Sequence, residues 1–129
     1  MKTVIIMDRD DAGVLSVTLS ALLRVVAPDL EDTEWTVSRT EAVGAGAEAL
    51  YEKEARGERL TTAALGQLAE GLDQVIEGVF VARGRGSREP RLVLRAVDGS
   101  SWDVSTNDAR ILERVRQSFA RIYEVGDVG

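Results

Sequence analysis

The segment that decides the fold runs from residue 75 to residue 105 and reads VIEGVFVARGRGSREPRLVLRAVDGSSWDVS. Two apolar runs within it, Val75–Arg83 and Arg91–Val97, predict strands, and the glycine- and arginine-rich residues 84–90 between them predict a loop. Trp102–Ser105 predicts a third strand after a short turn. Three strands in succession with short connections indicate an antiparallel meander.

The turn before the third strand, Asp98-Gly99-Ser100, allows two registers. A two-residue loop pairs Arg95 with Trp102. A three-residue loop pairs Arg95 with Asp103 instead and gathers the apolar side chains on one face. That face then holds Leu92, Leu94, Ala96, Trp102 and Val104. Because it is the cleaner buried face, we expect the three-residue, bulged turn.

Two strands and a helix are predicted in the first 37 residues. Val4–Met7 is typical of a buried strand and Trp35–Val37 of a short one. Residues 13–27 alternate at first as a strand would, but the apolar residues then follow helical spacing. We therefore expect a helix there, capped by Asp10 or Asp11, with a second hairpin strand as the alternative.

Two further helices are predicted before the meander. Ser38-Arg39-Thr40-Glu41 has the spacing of a capping box, which predicts a helix from there to about Ala55. Gly44 and Gly46 fall inside this predicted helix, where they indicate close packing. A second helix is expected to begin at a cap supplied by Thr61 or Thr62. The side chains expected to be buried are Val43, Ala47, Leu50 and Tyr51 in the first helix and Leu65, Leu68, Leu72 and Val75 in the second.

A last helix, capped by Thr106 or Asn107, is predicted to bury apolar residues as far as Tyr123. The expected fold is one α+β domain over residues 1–129, in the order β-α-β-α-α-β-β-β-α, with the meander packed against helices. Two segments are expected to be exposed, the hairpin loop at 84–90 and a frayed tail at 126–129.

The chain contains no histidine and no cysteine among its 129 residues. It therefore lacks the usual general base near neutral pH, a thiolate nucleophile and the commonest zinc ligands. We expect no cofactor and no disulfide bond. No run approaches the roughly 18 apolar residues of a membrane span, and a cytoplasmic location is the default expectation.

Charge is distributed unevenly behind the net value of −6. Residues 1–82 carry 7 basic and 15 acidic side chains, whereas residues 83–121 carry 9 arginines and 5 acidic side chains. Such asymmetry indicates either a partner of complementary charge or two regions of one fold that attract each other.

Asp8-Arg9-Asp10 follows an apolar run and is similar to the first motif of the haloacid dehalogenase phosphotransferases. That resemblance implies a nucleophilic Asp8, a proton-shuttling Asp10 and a magnesium ion near both. Only these few residues carry it, and the family's later lysine has no match beyond Lys2 and Lys53. The alternative is a solvated acidic turn that caps a helix.

A cluster of arginines marks the predicted hairpin and the strand after it. A guanidinium group suits phosphate or carboxylate, and glycine lets a ligand approach the backbone. A tryptophan nearby adds a residue type that is enriched in binding hot spots. The candidate binding residues are Arg83, Arg85, Arg88, Arg91, Arg95 and Trp102.

These observations favour a small acidic, non-catalytic protein-interaction module, such as an inhibitor, an immunity protein, an adaptor or an accessory subunit. The expected partner is another protein, and the acidic N-terminal two-thirds suit one with a basic surface. The uneven charge distribution would also allow the chain to associate with itself into a homo-oligomer. The alternatives are anion or nucleic-acid binding through the Arg83–Arg91 hairpin, and magnesium-dependent phosphoryl transfer at Asp8 and Asp10.

Overall fold

The computed structural model describes residues 1–30 and 32–125, and within them seven strands form one antiparallel sheet. The strands are β1 (Lys2–Ile6), β2 (Thr33–Val43), β3 (Leu60–Thr61), β4 (Gln74–Gly84), β5 (Pro90–Val97), β6 (Ser101–Thr106) and β7 (Ile122–Val125). The helices are α1 (Leu19–Val26), α2 (Ala47–Ala55), α3 (Thr62–Glu70) and α4 (Ala109–Ser118), and a 3-10 turn at Ala27–Asp29 follows α1.

The strand order across the sheet is β3-β2-β4-β5-β6-β1-β7. The α+β class, the order of the elements and the C-terminal meander are as predicted, and β3 and β7 are short additions at the two edges of the sheet. None of the described helices is long and apolar enough to cross a membrane. The predicted frayed tail at 126–129 lies outside the described residues.

The register of the meander confirms the three-residue turn. Arg95 lies opposite Asp103, and Val97 opposite Ser101, so that residues 98–100 form the loop. Asp98 and Gly99 both have positive φ angles, 51° and 62°. The turn folds back onto β4, because the Gly99 amide donates to the carbonyl oxygen of Ile76 at 2.8 Å.

One face of the sheet carries the hydrophobic core. The five residues predicted to share a face in β5 and β6 are all buried, as are Phe80 and Ala82 in β4. All four helices contribute to the same cluster, through Leu19, Leu50 and Leu65 among others. The helices therefore cover a single face of the sheet.

The first helix is shorter than predicted. It begins at Leu19, and its N-cap is Thr18, whose hydroxyl accepts from the Ala21 amide at 3.0 Å. Neither Asp10 nor Asp11 caps it. Residues 14–17 are not helical, and Leu15 forms an isolated antiparallel bridge with Arg9. The predicted helix is therefore correct from Leu19 onward, and the alternative, a hairpin strand, is approached only at the Arg9–Leu15 bridge.

The predicted capping box at Ser38–Glu41 is wrong. These residues lie inside β2, an 11-residue strand that pairs with β4 as far as Val43. Ser38 and Glu41 pair with β4 on either side of a bulge, and the Thr40 amide within the bulge donates to the Glu54 carboxylate at 2.9 Å. Helix α2 begins at Ala47 instead, and Val43 and Tyr51 are exposed where burial was predicted.

The helices that flank the meander also differ in detail. Thr61 caps α3 as predicted, through a 3.1 Å bond from the Ala64 amide. The predicted cap of the last helix is wrong, because Asp108 caps α4. That helix ends at Ser118, and Ile122–Val125 pair with β1 as a strand where the helix was predicted to continue. Val75 likewise belongs to β4 and not to the preceding helix.

Close packing explains the glycines of the α2 region, although they precede the helix. Gly44 has a φ of 135°, and a Cβ there would lie 2.6 Å from the carbonyl oxygen of Gly71. The Gly46 amide donates to that same oxygen at 2.8 Å. The backbone entering α2 therefore touches the backbone leaving α3, and a side chain at Gly44 has no room.

We expect Gly44→Ala to lower the free energy of unfolding by roughly 2–4 kcal/mol, because it combines a strained φ with a backbone clash. Chemical denaturation measures this directly. Gly57→Ala is the matched control: its φ is also positive, at 62°, but a Cβ there meets nothing within 4 Å, so we expect a loss of about 1 kcal/mol. Equal losses in the two variants would show that the close contact contributes nothing.

Candidate functional site

The aspartates of the phosphotransferase-like motif are engaged in structural hydrogen bonds. Asp8 accepts from the backbone amides of Ala120 and Arg121, at 2.6 Å for the bond from Arg121 to Oδ1. Asp10 Oδ1 accepts from two amides of its own loop, at 2.9 and 3.0 Å. Among the described residues, no three acidic side chains lie close enough together to hold a metal ion. The motif therefore ties the chain after α4 to β1.

The predicted arginine cluster is divided between the two faces of the sheet. Arg83 reaches Thr36 Oγ1 at 3.1 Å and the carbonyl oxygen of Arg88 at 3.2 Å. Arg91 reaches Thr33 Oγ1 at 3.2 Å on the other side. The cause is a bulge: Arg83 pairs with Pro90, and the next pair is Ala82 with Leu92, so that Arg91 is an extra residue in β5.

The other predicted binding residues do not assemble around the hairpin. Arg85 and Arg88 are exposed in the loop, and within the described part of the chain their side chains have no partner. Arg95 pairs with Val79, about 13 Å along β4 from the loop. Anion binding through Arg85 and Arg88 stays a prediction.

Trp102, a candidate binding residue, lies on the core face that the register of β6 predicted for it. Its side chain is fully buried and tilts against the ring of Phe80 at a centroid distance of 6.0 Å. The indole Nε1 donates to the carbonyl oxygen of Val17 at 2.9 Å. This hydrogen bond holds the segment before α1 against the sheet. The register of β6 places the Trp102 side chain on that side.

The sheet face opposite the helices is the most distinctive surface, and we call it the open face. Side chains that are neighbours across the strands form two rows on it. The first row is Thr36, Val81, Val93, Ser105, Thr3 and Val125. The second row is Ser38, Val79, Arg95, Asp103, Ile5 and Tyr123. Its aliphatic side chains are only partly buried, and Tyr123 is 51% exposed.

Charged side chains of both signs lie on the open face, on β2, β4, β5 and β6. The seven charged residues there are Glu34, Glu41, Glu77, Asp103, Arg39, Arg83 and Arg95, since Glu41 lies directly opposite Glu77. Sequence reasoning found Arg83 and Arg95 and placed Asp103 opposite Arg95, but it missed the others, because the neighbouring strands are needed to place them. Because four carboxylates and three guanidinium groups lie on this face, most of the net charge of −6 resides on other surfaces.

Two residues of opposite charge, Arg95 and Asp103, lie side by side at the centre of the open face without forming an ion pair. Arg95 and Asp103 are direct neighbours on β5 and β6, yet within residues 1–30 and 32–125 neither forms an ion pair within 4.0 Å. Burial raises the pKa of Asp103 above its ordinary value, and the positive charge of Arg95 offsets part of that rise. Each charge is thus close to the other but available to a further partner.

A cleft of about 430 Å³ opens beside this couple. Arg39 lies at its rim with a φ of 56°, in a bulge where Arg39 and Thr40 together oppose Gly78. Thr40 is fixed there by the Glu54 carboxylate, which accepts from its amide at 2.9 Å. The bulge places the Arg39 guanidinium on the same face as Arg95.

Comparisons with protein-family models, with curated proteins and with solved structures each give no match for this chain.

We expect Asp8→Ala to lower the free energy of unfolding by roughly 1 kcal/mol, because the amides of Ala120 and Arg121 lose their acceptor. Asp11→Ala is the control, since that neighbouring aspartate is exposed and makes no hydrogen bond to the described residues. Thermal denaturation with and without Mg²⁺ measures both effects. A rise in Tm with Mg²⁺ that Asp8→Ala abolishes would contradict the structural role.

Proposed function

We propose that the protein is a small non-catalytic protein-interaction module and that the open face is its binding surface. The observation that carries this is the composition of the outward positions. An antiparallel sheet with one face in water ordinarily shows polar residues on that face. Here Val79, Val81, Val93 and Ile5 occupy central outward positions.

The dimensions of the open face support the proposal. Six strands at about 4.8 Å spacing and six residues of strand length span roughly 30 Å by 20 Å, or about 600 Å². A standard protein–protein interface buries about 800 Å² on each partner. The flat area does not include the additional surface of the side chains that project from the sheet. The face therefore has the size of a modest specific interface.

The charges of the open face describe the partner. Three arginines and four carboxylates lie around an aliphatic centre, which suits a surface of mixed charge better than a uniformly basic one. The engagement of Asp8 and Asp10 by backbone amides supports a role without catalysis. An inhibitor, an immunity protein, an adaptor and an accessory subunit all fit this description.

The test compares two variants that each add one positive charge. Val93→Lys changes the centre of the open face, and Gln67→Lys changes an exposed position on α3. We expect the tagged wild type and Gln67→Lys to retain the same stoichiometric protein partner at moderate salt, and Val93→Lys to bind it at least tenfold more weakly, because an interface would bury the new ammonium group.

Far-ultraviolet circular dichroism and Tm establish that both variants remain folded. Retention of every partner by Val93→Lys would contradict the proposal. Recovery of nucleic acid that is lost in Arg85→Ala would assign binding to the hairpin loop instead.

A further inference from the structure

We infer that the open face pairs with the open face of a second copy of this chain, about a two-fold axis that runs parallel to the strands between β5 and β6. This inference rests on the proposed function, because it names the occupant of the surface proposed there. Its basis is the symmetry of the second row of side chains.

That row is self-complementary about its centre. On β4, β5, β6 and β1 it reads Val79, Arg95, Asp103, Ile5: aliphatic, positive, negative, aliphatic. The centre of the row also coincides with the centre of the six longer strands, because β2, β4 and β5 lie on one side and β6, β1 and β7 on the other.

The two-fold operation brings unlike charges together. Rotation about an axis along the strands turns the sheet over, so that β5 of one copy covers β6 of the other while heights along the strands are preserved. Arg95 then lies over Asp103 of the second copy, and Asp103 lies over Arg95 of the second copy. Because the contact is isologous, the pair occurs twice.

The flanking residues also match. The same rotation places β4 over β1 and β2 over β7, which brings Val79 to Ile5 and Ser38 to Tyr123 of the second copy. The phenol ring of Tyr123, 51% exposed in one chain, would be covered in this way. Two packed sheets cross at about −30°, which shifts facing residues away from exact superposition. The shift is smallest near the axis, where Arg95 and Asp103 lie.

The unpaired state of the central couple supports this arrangement. Arg95 and Asp103 make no ion pair with each other within 4.0 Å, so each retains bonding capacity toward a second copy. Charged groups in an interface must be matched by opposite charges, since an unmatched buried charge is strongly unfavourable. A copy in the register described provides that match.

The decisive experiment is a charge swap followed by analytical ultracentrifugation at 0.15 M salt, where repulsion between the acidic surfaces is screened. We expect the wild type to form a concentration-dependent dimer of the 14.0 kDa chain. Arg95→Asp sets four carboxylates against one another and Asp103→Arg sets four guanidinium groups together, so each variant alone should dimerise at least tenfold more weakly.

Mixing the two variants tests the geometry. The carboxylate introduced by Arg95→Asp in one chain then faces the guanidinium introduced by Asp103→Arg in the other. The native Asp103 of the first chain faces the native Arg95 of the second, so the mixture should form a heterodimer with near wild-type affinity. Recovery on mixing also shows that both variants are folded. Arg85→Asp is the control, because it makes the same charge change in the exposed hairpin loop and should dimerise as the wild type does.

The outcomes separate this inference from the proposed function. A wild type that stays monomeric up to millimolar concentration, or a dimer unaffected by both single variants, would overturn the inference. If the wild type is monomeric but Val93→Lys loses a captured protein, the open face is still the binding surface and its occupant is a different chain. If Val93→Lys also changes nothing, both proposals fail.

Discussion

The turn at residues 98–100 is the constraint on which the rest of this structure depends. Side chains alternate between the faces of a strand, so a loop shorter by one residue would invert β6 relative to β5. Trp102 would then leave the core, and Asp103 would enter it. The three-residue loop, with Asp98 and Gly99 at positive φ, therefore determines both the helix-covered core and the composition of the open face.

Polar groups that resemble functional residues serve this architecture in several places. The Trp102 indole holds the segment before α1, and the Asp8 carboxylate holds the segment before β7. Glu77 accepts from the Asp98 amide at 3.0 Å and so supports the turn itself. Within the described residues, no buried side-chain nitrogen or oxygen lacks a hydrogen-bond partner. The aspartate motif and the tryptophan therefore serve to hold segments of the chain together. Only polar side chains without such a structural role are informative about binding.

Sequence patterns predicted the elements that depend on local periodicity and failed where distant pairing decided the outcome. The meander, its register and the Thr61 cap follow from neighbouring residues. Ser38–Glu41 satisfies a helix-capping pattern, but Ser38 and Glu41 pair with Val79 and Glu77 of β4, on either side of a bulge. The end of α4 was misplaced for the same reason, since β7 exists only because β1 lies beside it. The open face was beyond prediction, because Ile5 reaches Asp103 only through pairing across almost 100 residues.

The location of the acidic excess decides whether two chains of charge −6 can approach through the open face. Glu48, Glu52 and Glu70 are exposed on α2 and α3, behind the sheet. Two sheets packed face to face are separated by about 10 Å, and each helix layer adds roughly 10 Å more. The acidic layers of two copies would therefore lie about 30 Å apart, several times the Debye length of about 8 Å at physiological ionic strength. Repulsion between them is then weak, whereas the opposite charges of Arg95 and Asp103 meet at short range, where complementarity determines the register.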